Sequence, residues 1–163
     1  MPASDPLEFS LDTPEATADL ARRIAPRLAP GDVLLLEGPI GAGKTHFARA
    51  LIKARMAAAG YDEDVPSPTF TLVQTYDVDG ASILHADLYR LHDAHDAVEL
   101  GLEDGFAEAI CLVEWPDRLG TVPDGAITLV FGRGAGPDAR QLRITSGQAR
   151  WREVLSAENT VAG

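Results

Sequence analysis

The sequence predicts an α/β domain with a mixed, mainly parallel central sheet, flanked by helices and carrying one antiparallel hairpin. Two apolar runs each end in an acid, Val33-Leu-Leu-Leu-Glu37 and Ile110-Cys-Leu-Val-Glu114. Continuous apolar runs of this length, bounded by turn residues, suit strands buried on both faces of a parallel sheet. Segments with helical spacing lie between and before them, and this alternation is the pattern of an α/β layer structure. Two β-prone segments, Thr69–Tyr76 and Ser82–Asp87, flank Asp77-Val-Asp-Gly80, which predicts a hairpin.

In chain order, Phe9-Ser-Leu11 reads as a short strand. Thr13-Pro14 reads as an N-cap followed by Pro at the first helical position. Leu20, Ile24 and Leu28 continue that helix until Pro30-Gly31 stops it. Lys44 to about Ala59 forms a second helix, closed by Gly60, and the polar, Pro-rich stretch from Tyr61 to Pro68 is a loop. After the hairpin, Ala94–Leu100 and Glu103–Ala109 read as short helices. Ala126–Phe131 and Gln141–Thr145 read as strands, and Gln148–Leu155 as a closing helix before a frayed tail. No internal repeat or low-complexity tract interrupts the chain. One domain over residues 1–163 is expected, with its core at about 8–156.

Composition narrows the function. Hydrophobic residues are 45% and charged residues 24% of the 163, a folded, globular balance. The longest strongly apolar run, Val33–Leu36, is far too short to span a bilayer. The first residues carry neither a positive charge nor an apolar stretch, so no secretory signal and no membrane association are expected. Cys111 is the single cysteine, which excludes an internal disulfide and points to the cytoplasm. A net charge of −11 repels nucleic-acid phosphates, so direct, strong binding to RNA or DNA is not expected. Lys44, Arg49, Lys53 and Arg55 fall close together but read as a solvated helix face.

The chemistry is concentrated in Gly38-Pro-Ile-Gly-Ala-Gly43-Lys44-Thr45. Two glycines with four residues between them, followed by Lys and Thr, form the pattern of a P-loop. Gly38 and Gly43 supply backbone conformations that a Cβ obstructs, and Gly41 leaves room for close approach. The amides of Ile40, Gly41, Ala42 and Gly43 then point inward to cradle phosphate oxygens, and the following helix adds its positive end. Lys44 reaches the β- and γ-phosphates, and the Thr45 hydroxyl is placed for Mg²⁺. The fold class therefore sharpens to P-loop NTPase-like.

Such a site needs a carboxylate at the end of a neighbouring strand. Glu114 and Asp87 are the candidates. The plainer roles are a strand-end surface acid for Glu114 and a helix cap or hairpin-end charge for Asp87. Ser67-Pro-Thr69-Phe-Thr71 lies where many P-loop proteins carry a switch, so Ser67 or Thr69 is either a γ-phosphate sensor or a hydroxyl bonded to its own loop. His46 and His85 lack a partner at metal-ligand spacing and read as structural or surface residues. Trp115 reads as packing, and Arg90, Arg118 and Arg133 as exposed salt-bridging arginines. The only asparagine is Asn159, so the Asn-Lys-x-Asp segment that reads guanine is absent and ATP is favoured over GTP. No arginine-rich lid of a small-metabolite kinase is present.

The P-loop, Ser67-Pro-Thr-Phe-Thr-Leu-Val73, His85-Ala-Asp-Leu-Tyr-Arg-Leu91 and Leu112-Val-Glu-Trp-Pro116 occur in that order. Together they resemble the TsaE family of bacterial tRNA threonylcarbamoyladenosine biosynthesis proteins, over roughly residues 10 to 145. The resemblance implies a weak, Mg²⁺-dependent ATPase needed for the N6-threonylcarbamoyl modification of adenosine 37 in tRNA. It implies a TsaB–TsaD heterodimer as partner, reset between turnovers by the ATP cycle. By the same resemblance Ile40 to Thr45 hold phosphates, Thr45 and Glu114 hold Mg²⁺, and Asp87 lies beside the γ-phosphate as a metal-shell or water-orienting carboxylate. Lys44, Asp87 and Glu114 are then the catalytic set. The stretch around Thr13 to Thr17 is brought toward the adenine without any one residue being singled out. Neither Arg133 nor Arg140, in the Gly-rich part from Gly132 to Arg140, takes over a family role. A nucleotide-gated binding module, in which ATP occupancy rather than hydrolysis matters, is the alternative.

Overall fold

The computed structural model describes residues 7–39, 41–60, 62–68, 72–91, 96, 101–119, 122–123 and 125–145. Seven strands form one sheet: β1 (Leu7–Leu11), β2 (Val33–Glu37), β3 (Val73–Val78), β4 (Ala81–Asp87), β5 (Ile110–Glu114), β6 (Ile127–Arg133) and β7 (Arg140–Ile144). Their order across the sheet is β1-β7-β6-β2-β5-β4-β3. The four central strands β6-β2-β5-β4 are parallel, and antiparallel partners extend both edges. Three helices accompany them among the described residues: α1 (Pro14–Ile24), α2 (Lys44–Ala58) and α3 (Leu102–Glu108).

Side-chain alternation along the central strands divides the core between the two faces. Leu34, Leu36, Ile83, Ile110 and Leu112 join the cluster with α1 and α2. Val33, Leu35, Leu84, Cys111 and Val113 join the opposite cluster, with Leu102 and Phe106 of α3. Burying both faces is what makes β2 and β5 continuous apolar runs, since each leucine or isoleucine removed from water contributes about 1.5–3 kcal/mol.

Local chemistry sets the boundaries. Thr13 Oγ1 accepts the Ala16 amide at 3.1 Å and opens α1. The helix ends at Ile24, short of the expected Leu28, because Pro26 brings no N–H; a 3₁₀ turn over Ala25–Arg27 carries the chain to Leu28 instead. The hairpin turns on Asp79 and Gly80, at φ 52° and 82°. Two successive positive φ values mark a type I′ turn, whose twist matches that of the strands. The expected helix at 148–155, all of that at 94–100 except the helical residue 96, and the start of the first hairpin segment lie outside the described residues. No described helix is long and apolar enough to cross a membrane.

Candidate functional site

The parallel strands β2, β5 and β4 end side by side, and ligands of open α/β sheets bind beyond such carboxyl ends. Leu36 pairs with Glu114, and Glu114 with Asp87, so both predicted acids stand on one rung at this edge. The loop from Gly38 leads from β2 straight into α2. Gly38 sits at φ 143°, and a Cβ there would meet the Phe131 carbonyl oxygen at 2.6 Å. Any side chain would push the loop off β6. Gly43, at φ 105°, turns the chain into α2 without a side-chain cap. The first amides of the helix therefore face the loop's hollow, the arrangement that favours an anion. Ala42 packs into the core beneath. Ile40, predicted as a phosphate ligand, lies outside the described residues.

Lys44 is buried, and its Nζ donates to the Gly38 carbonyl. The same Nζ lies 3.6 Å from the centre of the Trp115 ring. Trp115 reaches this place because it adopts φ 60°, which turns its side chain back over the loop. A positive φ on a bulky aromatic costs on the order of 1–3 kcal/mol; a desolvated cation over an indole returns about 2 kcal/mol. Tyr89 completes the aromatic wall, its ring centre 4.8 Å from that of Trp115. Burial holds the Lys44 pKa below the usual lysine value, against the opposing pull of Glu114, Asp87 and Asp117.

A chain of hydrogen bonds links three elements. The Thr45 hydroxyl on α2 bonds to Glu114 Oε1 at 2.7 Å. Glu114 Oε2 lies 2.7 Å from Nε2 of His85 on β4. Glu114 and His85 are 2% and 0% exposed, so neither is the surface residue that its plainer reading allowed. Asp87 Oδ1 accepts the Tyr89 amide at 3.1 Å. Because the Thr45 proton is taken by the carboxylate, the lone pairs of Oγ1 are left to face a cation. Thr45, Glu114 and Asp87 are hard oxygen donors, which fits Mg²⁺. Among the described residues, no group of three or more His, Cys, Asp and Glu could hold a metal alone. Mg²⁺ at a phosphate site asks for fewer, since phosphate and water oxygens fill its remaining positions.

These groups line a cavity of about 610 Å³, within the range of small-ligand sites. Gly41, Gly43, Lys44, Thr45, Asp87 and Glu114 from the predicted set all reach it. Ser67 is exposed and does not line it, and Thr69 and Thr71 lie outside the described residues. The rest of the lining comes from Pro14, Thr17, His46, Asp138 and Arg140. Here His46 Nε2 lies 2.8 Å from the Pro14 carbonyl, and Arg140 Nη2 donates to the Gly41 carbonyl at 2.9 Å. The residue pattern reads Trp115 as packing and His85 and His46 as structural or surface, gives Arg140 no role, and does not single out Tyr89 or Asp138. The signals available were Trp115 and His85 standing beside the two acids. The basic helix face is partly consumed within the fold. Arg55 donates to the Ala25 and Leu28 carbonyls, and Lys53 pairs with Asp62.

Known proteins share this organisation. A family model described as threonylcarbamoyl adenosine biosynthesis protein TsaE matches residues 11–142. The tRNA threonylcarbamoyladenosine biosynthesis protein TsaE of Bacillus subtilis is 35% identical over 93% of this chain and 92% of its own length. The protein of the same name from Rickettsia conorii is 41% identical over 66% of this chain, and the match spans 60% of that relative's length. The Rickettsia felis protein is similar, at 41% identity over 61% of its length. The crystal structure of Bacillus subtilis YdiB superimposes with a TM-score of 0.77 at 28% identity and covers 98% of each chain. With a family model across most of its length and a relative matched nearly end to end, the chain belongs to the TsaE family.

Proposed function

We propose that the protein binds ATP with Mg²⁺ and hydrolyses it slowly, as the ATP-driven component of tRNA N6-threonylcarbamoyladenosine formation. It works with a TsaB–TsaD heterodimer, in the cytoplasm, and meets tRNA through those partners. The observation that carries this is the meeting of Lys44, Thr45, Glu114 and Asp87 beyond the strand ends, in one cavity. Family membership supplies the pathway, and the net charge of −11 supports indirect rather than direct contact with tRNA.

Each side chain has a distinct task. The loop amides and Lys44 hold the phosphates and offset charge on the β- and γ-oxygens. Thr45 and Glu114 hold Mg²⁺, which when bound neutralises charge on the phosphate oxygens. Asp87 orients a water or the hydration shell beside the γ-phosphate. Trp115 and Tyr89 screen Lys44 from solvent, which strengthens its pull on the phosphates.

Reconstitution with TsaB, TsaD and tRNA is the test. ATP is expected to raise modified tRNA over many turnovers, and no increase would overturn the proposal. Glu114→Gln is expected to lower hydrolysis about 100-fold, a loss typical of one transition-state contact, with ATP still bound. If modification then continued at the full multi-turnover rate, a nucleotide-gated binding module would replace the ATPase cycle.

A further inference from the structure

We propose that His85 is a positioning residue for Glu114, fixing the carboxylate and through it the Thr45 hydroxyl in the orientation that receives Mg²⁺. This rests on the reading above that Thr45 and Glu114 are the metal ligands.

His85 occupies a position that sheet geometry reserves for an apolar side chain. On β4 it alternates with Leu84 and Ala86, which face the opposite core cluster. Its own face carries Ile83 before it and Asp87 after it, and its partner across the strand pair is Leu112. Its exposure is 0%. An imidazole in this setting loses hydration and must recover it through a hydrogen bond. It makes one: Nε2 to Glu114 Oε2 at 2.7 Å. Nδ1 has no hydrogen-bond partner among the described residues. A ring kept for general core cohesion would engage both nitrogens; this one spends its polarity on Glu114 alone. The contact also fixes the tautomer. A proton on Nε2 meets a carboxylate, whereas a proton on Nδ1 would be a buried donor with no acceptor.

The consequence lies at Glu114. Thr45 holds one carboxylate oxygen and His85 the other, each at 2.7 Å. Rotation of the carboxylate about its last bond breaks both contacts, so one face stays turned to the cavity. Because Thr45 donates to this fixed oxygen, its own lone pairs are fixed as well. Groups that bond the ligands of a metal in this way set metal affinity, and their loss typically weakens it by about 10- to 100-fold.

The test compares His85→Met, which keeps bulk and removes the donor, with His85→Gln, whose amide nitrogen reaches toward the same oxygen. Calorimetry measures ATP affinity without metal and the Mg²⁺ concentration that half-saturates its tightening. His85→Met is expected to raise that concentration about 10-fold or more, with metal-free affinity within about 2-fold of the parent. His85→Gln is expected to recover to within about 3-fold. A methionine variant that melts lower yet keeps the parental Mg²⁺ requirement overturns the proposal, as does a glutamine variant no better than methionine. If the unmodified protein itself shows no Mg²⁺-dependent tightening, the assignment of Thr45 and Glu114 fails first and this inference falls with it. Nitrogen-15 NMR of the unmodified protein decides independently of any variant: a proton on Nε2 is expected, and an Nε2 without a proton overturns it.

Discussion

The two walls of the cavity are built in different ways. The wall proposed to hold phosphate comes from the segment Gly38 to Thr45, together with the ends of β4 and β5. The second wall joins the start of α1, through Pro14 and Thr17, to Asp138 and to Arg140, the first residue of β7. A cradle for phosphate depends on backbone dihedrals, and these are encoded locally by glycine at φ values such as 143° and 105°. The second wall depends on side chains brought near one another by tertiary packing, α1 following β1 and β1 pairing with β7 at the sheet edge. Substitution is therefore expected to cost more in the first kind of wall than in the second.

The largest effect expected from this contrast is at Lys44. Lys44→Ala removes the cation aimed at the phosphates, and ATP affinity is expected to fall at least about 100-fold, or about 2.7 kcal/mol. Affinity retained in a calorimetric titration would break the assignment of that wall. Arg140→Ala should matter less, with a loss below about 10-fold. It leaves the loop glycines in place and removes one bond to them, the 2.9 Å bond to the Gly41 carbonyl, along with bonds to the Pro137 and Ala139 carbonyls. A loss as large as that of Lys44→Ala would show that the two walls are equivalent and that the contrast is wrong.

The smallest effect lies on the other face of β5, where Cys111 points away from Glu114 into the second core cluster. Burial pushes its thiol from 9.0 up to about 12. The unfolded chain therefore loses this proton first. Stability from this group is fully present below pH 9 and is lost as pH rises toward 12. Alkylation at pH 8 is expected to be slow in the native protein and fast in denaturant. Rapid native alkylation would contradict that burial.

Much of this organisation was legible in the residues. Val33–Glu37 and Ile110–Glu114 announce themselves as central strands because both of their faces are apolar, and Asp79-Gly80 announces the hairpin. The loop glycines declare the phosphate wall for the same local reason. The end of α1 was harder, because Pro26 competes with an apolar spacing that continues to Leu28. Trp115 stayed hidden because a positive φ on tryptophan has no sequence signature, yet that dihedral alone brings the indole over Lys44. The tie between His85 and Glu114 depends on strand register, with His85 opposite Leu112 and a diagonal reach to the acid. Register belongs to two segments at once and cannot be read from either. Arg140 is the least legible of these, since its partner, Gly41, lies 99 residues away in sequence.

Thr45 and Glu114 are proposed to form a Mg²⁺ site serving a bound triphosphate. The most direct measurement is a calorimetric titration of ATP, with and without Mg²⁺, into the unmodified protein and Thr45→Ala. Mg²⁺ is expected to tighten ATP binding to the unmodified protein about 10-fold or more, and to change it less than about 2-fold in Thr45→Ala, with metal-free affinity nearly equal in the two. Equal tightening in both proteins, or none in either, would contradict the account.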